Sequence, residues 1–197
     1  MNAQSLNNKA GEFADFVCKY KPNVVAIMET WFHEIESASR TLCMSPGYSL
    51  LDHPWSNCTG GGTGVLFIDT LIVTKIAAAV FQPFEYSEWN IKSESEQIHL
   101  IIIYRPPYSE VHPVTTSVFL EEFLEFLEST VFTASHLLIT RDFNIHIDVT
   151  DDPDALRLHD LLESTGLEQH VTVLTHIILF LYSMDRLSLL RSLTSPL

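Results

Sequence analysis

Four short, almost wholly apolar runs constrain this chain most. They are Val24-Val25-Ala26-Ile27-Met28, Val65-Leu66-Phe67-Ile68, Ile98 to Tyr104 and His136 to Thr140. Each is too short for a stable helix and reads as a buried strand. Two amphipathic stretches separate them from helical layers. Ala10, Phe13, Ala14 and Val17 recur at i, i+3, i+4 and i+7, with Asn7 or Asn8 as cap and Pro22 as stop. Phe119, Leu120, Phe123, Leu124 and Leu127 line one face of a helix over about 117–130, and Glu121, Glu122, Glu125 and Glu128 form its solvated face. Asp151 and Asp152 precede Pro153 and a third helix with Leu158, Leu161 and Leu162 inward. Buried strands alternating with one-faced helices predict a layered α/β (α+β) fold.

Further strands are expected at 71–80 and about 86–91, and the 98–104 run is ended by Pro106-Pro107. The stretch from Glu29 to Cys58 reads as polar and irregular. The cluster Gly60, Gly61, Gly62 and Gly64 reads as a turn before a strand. No Gly-Lys-Ser/Thr follows it, so a Walker-type phosphate loop is excluded.

The chain of 197 residues has 25 acidic and 11 basic residues, a formal charge of −14. Residues 85–128 hold nine acids against Lys92 and Arg105, and 142–168 hold eight against Arg157. Such a chain lacks the basic surface of a general nucleic-acid binder. A phosphate-bearing substrate must instead meet a local site, with a divalent metal offsetting the acids. Cys18, Cys43 and Cys58 have neither zinc-site nor paired-disulfide spacing. No run approaches the ~18 apolar residues of a membrane span, and the polar N-terminus carries no signal-peptide core. An intracellular, nuclear or cytoplasmic location is the expectation.

Acids, amides and one tyrosine sit where the apolar runs end: Glu29, Tyr104, Asp142 and Asn144. Strand ends on one sheet rim can carry such groups on rigid support. A carboxylate such as Glu29 can hold Mg²⁺, Asp142 can orient or deprotonate water, and Asn144 can donate to a phosphoryl oxygen. These are the parts for metal-assisted phosphodiester hydrolysis.

Five motifs stand in order: Asn2-Ala3-Gln4-Ser5-Leu6-Asn7-Asn8-Lys9, Met28-Glu29-Thr30-Trp31, Gly61-Gly62-Thr63-Gly64-Val65, Tyr104-Arg105-Pro106-Pro107 and Asp142-Phe143-Asn144. Together they resemble the endonuclease/exonuclease/phosphatase superfamily, and within it the apurinic-endonuclease-like domain of non-LTR (LINE-type) retrotransposons. Glu168-Gln169-His170-Val171 and Thr175-His176 extend the likeness, which covers about residues 2–176. The resemblance implies a four-layer sandwich of two mostly antiparallel sheets flanked by helices, incomplete at both termini. Residues 1–176 would form this domain and 177–197 a divergent tail.

It also implies Mg²⁺- or Mn²⁺-dependent hydrolysis of phosphodiesters, with DNA as substrate and an ancestral fusion to a reverse transcriptase. Glu29 and Asn2 would hold the metal region. Tyr104 would contact the scissile phosphate, Asp142 the attacking water and Asn144 the developing phosphorane charge. Asp185 would match the second Asp of the family, and Thr175 a nearby hydroxyl.

Four departures predict weak or absent catalysis. No strand precedes Asn2, so Asn2 is expected to lack support and to fray. Arg141 replaces the glycine before Asp142; it is expected either to contact a DNA phosphate or, the favoured reading, to block the site or pair with that carboxylate. The run around Asp185 is out of step with the family, and no histidine stands in a Ser-Asp-His run. A non-catalytic remnant, or another phosphodiesterase or phosphatase of the superfamily, are the alternatives.

Overall fold

The computed structural model describes residues 1–32, 38–54, 60–130, 136–145, 151–169 and 178–183, with the backbone alone for 169 and 178–183. The elements run α1 (Leu6–Tyr20), β1 (Val24–Met28), α2 (Ala38–Cys43), β2 (Tyr48–His53), β3 (Thr63–Ile68), β4 (Ile72–Val80), β5 (Glu85–Lys92), β6 (Gln97–Tyr104), α3 (Thr116–Thr130), β7 (His136–Asp142), α4 (Pro153–Ser164), β8 (Glu168–Gln169) and β9 (Ile178–Ser183). They form a three-stranded sheet, β1-β3-β2, and a six-stranded sheet, β4-β5-β6-β7-β9-β8. All strand pairs are antiparallel except β6 with β7.

Strand alternation sorts the apolar residues into three cores. Met28, Val65, Phe67, Trp89, Ile91, Ile98, Leu100, Ile102, Tyr104 and Leu138 fill the space between the sheets. Ile101, Ile103, Leu137 and Ile139 point the other way and meet Phe119, Phe123 and Leu127 of α3 and Leu158 and Leu162 of α4. Val25, Ile27 and Leu66 meet Leu6, Ala10, Phe13 and Val17 of α1. The result is the expected sandwich of helix, sheet, sheet and helix. Burying each large apolar side chain contributes about 1.5–3 kcal/mol, so each layer is held chiefly by its face.

Three local readings are revised. First, the 29–58 stretch holds α2 and β2. β2 is an edge strand with only Leu50 fully buried, so its alternation is faint. Second, α1 begins at Leu6, ahead of Asn7 and Asn8, and the Asn7 side chain donates instead to the Trp31 carbonyl. Third, Asn2 does not fray: Met28 N–H donates to Met1 O at 2.8 Å and Ala3 N–H to Met28 O at 2.9 Å, a parallel bridge alongside β1. By contrast α4 is capped as expected, Asp152 accepting from the Asp154 and Ala155 amides. β9 lies between β7 and β8, within the segment read as a divergent tail. Asp185, Thr175 and His176 lie outside the described residues. Among the described residues no helix is long and apolar enough to cross a membrane.

Candidate active site

Strand register converges the motifs on one end of the sandwich. In the large sheet Glu85, which opens β5, faces Tyr104, which ends β6; Tyr104 in turn faces Asp142, which ends β7. In the small sheet Met28, which ends β1, faces Thr63, which opens β3. Glu29 leaves β1 at this same rim. The prolines after Arg105 and the turn after Asp142 stop both central strands there, so their last inward side chains are polar.

Asn2 ties the rim together. Its Nδ2 donates to Glu29 Oε1 at 2.7 Å and to Asp142 Oδ2 at 2.7 Å, bringing together carboxylates from two sheets. Its Oδ1 accepts from the Gln4 amide at 3.0 Å, which fixes which end of the side chain faces the acids. Burial, then the Glu29 charge, raises the Tyr104 phenol well above its ordinary range, so it remains a hydrogen-bond donor across the working pH range.

Two further motifs hold Glu29 in place. The Glu29-Thr30-Trp31 loop lies against the glycine loop: Thr30 N–H donates to Gly62 O and Trp31 N–H to Gly61 O, each at 3.0 Å. From the other side Ser5 N–H donates to Glu29 O at 3.0 Å and Leu6 N–H to Thr30 O at 3.1 Å. Glu29 and Trp31 have φ of 56° and 53°. Left-handed backbone at non-glycine residues costs roughly 1–3 kcal/mol and persists only where surroundings dictate it, as at functional sites. Gly62 needs its missing side chain: at φ of 87°, a Cβ there would lie 2.5 Å from Thr30 Oγ1.

Arg105 and Asn144 shape the Asp142 turn. Arg105 is buried. Its Nη1 donates to Phe143 O at 2.9 Å, its Nη2 to Thr116 Oγ1 at 3.2 Å, and its guanidinium lies 4.9 Å from the Phe119 ring centre. Asn144, at φ of 51°, donates its backbone N–H to Asp142 Oδ1 at 3.2 Å and its Nδ2 to Arg105 O at 2.8 Å. Asn144 therefore sits beside Asp142, with its amide engaged on Arg105.

Arg141 corrects an expectation. It neither blocks Asp142 nor reaches solvent, being 1% exposed with its guanidinium 4.3 Å from the Phe143 ring centre. Neighbouring residues of a strand face opposite ways. Asp142 faces the site, so Arg141 faces the α3/α4 core. Burial lowers its pKa to about 9, with the Asp142 charge opposing.

Glu85 is the residue the motifs missed. It is fully buried, and its Oε1 accepts from Gly62 N–H at 2.7 Å. Burial chiefly pushes its carboxyl up to about 8; the Gly62 bond opposes this and the Glu29 charge adds to it. Its other oxygen has no partner among the described residues. The available signal was alternation: Glu85, Ser87, Trp89 and Ile91 all face inward, which puts an acid at the first inward position of a core strand.

Glu29, Glu85 and Asp142 thus gather at one rim, and none forms an ion pair with a described residue. The carboxylates of Glu29 and Asp142, both held by Asn2, are oxygen donors of the kind a hard divalent cation takes. Among the described residues the one group of three such side chains with mutually close ligand atoms is His159, Asp160 and Glu163 on α4, exposed and remote in sequence from these motifs.

No family model matches the sequence, and comparison with curated proteins gives no match. Solved structures do match. The endonuclease domain of TRAS1, a telomere-specific non-LTR retrotransposon, superposes with a TM-score of 0.62 at 15% identity, covering 94% of this chain and 85% of that one. The AP endonuclease LMAP from Leishmania major gives 0.63 at 15%, covering 92% and 77%. D. rerio TDP2 complexed with single-strand DNA product gives 0.59 at 11%, covering 90% and 78%. The chain shares the fold of these endonuclease and TDP2 structures. The resemblance drawn from the five motifs is borne out as a likeness of fold, the TRAS1 endonuclease domain being among the structures that share it.

Proposed function

We propose that this rim is a metal-dependent phosphodiester hydrolase site acting on DNA, of the strand-nicking type. One observation carries the reading: a single amide nitrogen, Asn2 Nδ2, sits 2.7 Å from both Glu29 and Asp142, which the sequence places far apart. Glu29, with Asn2 beside it, would hold Mg²⁺ or Mn²⁺. The bound ion would stabilise charge building on a phosphoryl oxygen. The chain's own residues do the rest. Asp142 accepts the proton of an attacking water and orients it. The Tyr104 hydroxyl, held as a donor, contacts a phosphate oxygen. Asn144 offers its amide to the same phosphate once it leaves the Arg105 carbonyl. Asn2 keeps the two carboxylates in register.

The domain derives from a retrotransposon polyprotein with a reverse transcriptase, and works inside the cell. The test is nicking of supercoiled plasmid by purified protein in Mg²⁺, Mn²⁺ or EDTA, beside Asp142→Ala and Glu29→Gln. Metal-dependent nicking lost in both variants supports the reading. A folded protein, checked by circular dichroism, that neither nicks nor binds Mn²⁺ by calorimetry would be a non-catalytic remnant.

A further inference from the structure

The loop that carries Glu29 is held from two sides. Residues 5–7 grip it through Ser5, Leu6 and Asn7. Gly61 and Gly62 grip it through their carbonyls, which accept from Trp31 and Thr30. The glycine side needs an anchor of its own, because a glycine pair explores more backbone conformations than any other residues. That anchor is a carboxyl group: Glu85 Oε1 accepts the Gly62 amide at 2.7 Å from a fully buried position. Glu85 itself stands on rigid ground. It pairs with Tyr104 at the head of the β5–β6 ladder, and Ser87, two residues on, accepts from Thr63 Oγ1 at 2.7 Å and Trp89 Nε1 at 2.8 Å. The path is short: Glu85 side chain, Gly62 amide, Gly62 carbonyl, Thr30 amide, Glu29.

We propose that Glu85 is a positioning residue: by gripping the Gly62 amide it fixes the left-handed backbone at Glu29 and so aims the Glu29 carboxylate at the rim. This rests on the reading of Glu29 as the metal-holding group. A glutamate suits the task because its reach spans from the large sheet to the loop of the small sheet, which no backbone ladder crosses at this point. Glu85 touches neither phosphate nor water in this role.

The experiment joins amide exchange, read by NMR, with Mn²⁺ calorimetry. In the unaltered protein the Gly62 amide exchanges in the slow class. In Glu85→Leu, which keeps bulk but removes the acceptor, the Gly62, Thr30 and Trp31 amides exchange at least tenfold faster. The Ile101–Ile103 ladder is unchanged, and Mn²⁺ affinity falls at least tenfold. Glu85→Gln restores an acceptor oxygen and brings both readouts within threefold of the parent. Ser87→Ala, one inward position along, lowers the melting temperature without a selective change at Gly62 or in Mn²⁺ affinity.

A fast-exchanging Gly62 amide in the unaltered protein overturns the proposal, even if the leucine variant does not fold. So does Glu85→Leu with unchanged Gly62 and Thr30 protection, or Ser87→Ala with the same Mn²⁺ loss. If the unaltered protein binds no Mn²⁺ yet Glu85 governs exchange at Gly62 and Thr30, the loop clamp stands and the metal reading of Glu29 falls.

Discussion

Arg105 gives the sharpest test of how the turn that presents Asp142 is built. Its guanidinium makes two hydrogen bonds in fork geometry, to Phe143 O and Thr116 Oγ1, and packs on Phe119. Hydrogen bonds from a charged donor contribute roughly 1.5–3 kcal/mol each, and a desolvated cation–π contact up to about 2. Burial opposes these gains and lowers the Arg105 pKa. Arg105→Lys keeps the charge but not the fork. The ammonium reaches one acceptor, leaving a buried cation half-satisfied and the other acceptor unpaired. The expected loss is about 3 kcal/mol. Arg105→Met removes the charge with its desolvation cost, leaves Phe143 O unpaired, and loses about 1–3 kcal/mol.

Urea denaturation followed by circular dichroism and by fluorescence of the buried Trp89 measures both. With m near 2 kcal/mol/M, a 3 kcal/mol loss lowers the midpoint by about 1.5 M. The conservative change is therefore the more damaging one. A lysine variant within about 0.3 M of the parent would refute the reasoning, since it would mean the fork adds nothing that a point charge does not.

Three further perturbations address the rim. Asn2→Asp replaces a bridging donor by a third acid, so it should lose about 2–3 kcal/mol in EDTA; Mn²⁺ should raise its melting temperature more than that of the parent, as thermal shift will show. In EDTA the Glu85 carboxyl, raised from 4.5 to about 8 in the folded state, makes the unfolded chain release its proton first. Its contribution to stability is complete below about pH 4.5 and is lost as pH rises through 8, by at most about 5 kcal/mol; Glu85→Gln should flatten that slope in melts from pH 4 to 9. Gly62→Ala combines a φ of 87° with a Cβ 2.5 Å from Thr30 Oγ1, so it should cost about 2 kcal/mol or more in urea and reduce nicking by displacing the Glu29 loop.

The sequence exposes those site residues whose neighbours are simple. Glu29, Tyr104 and Asp142 each follow an apolar run that is a strand, so their placement at one rim follows from where strands stop. Asn144 is legible for the same reason, though not its bond to Arg105 O, which depends on a parallel β6–β7 pairing no local pattern encodes. Glu85 is hidden by composition. It is one of nine acids between residues 85 and 128, and only alternation across β5 separates it from acids on the strand's other face such as Glu88, which pairs with His99.

Asn2 and Arg141 show why a residue's near neighbours in sequence mislead about its support. Asn2 looks unsupported because no strand-like run adjoins it in the sequence. Its support comes from β1, through a bridge to Met28, and from acids 27 and 140 positions away. Arg141 looks obstructive because it adjoins Asp142. The half-turn between successive strand residues puts its guanidinium beneath the helical layer, on Phe143. The same side chain then helps close the core under the turn that Arg105 grips from the β6 side. A bulky cation at the glycine position is thus accommodated without entering the site, and the carboxylate arrangement at the rim is set by Asn2, Arg105 and the glycine loop.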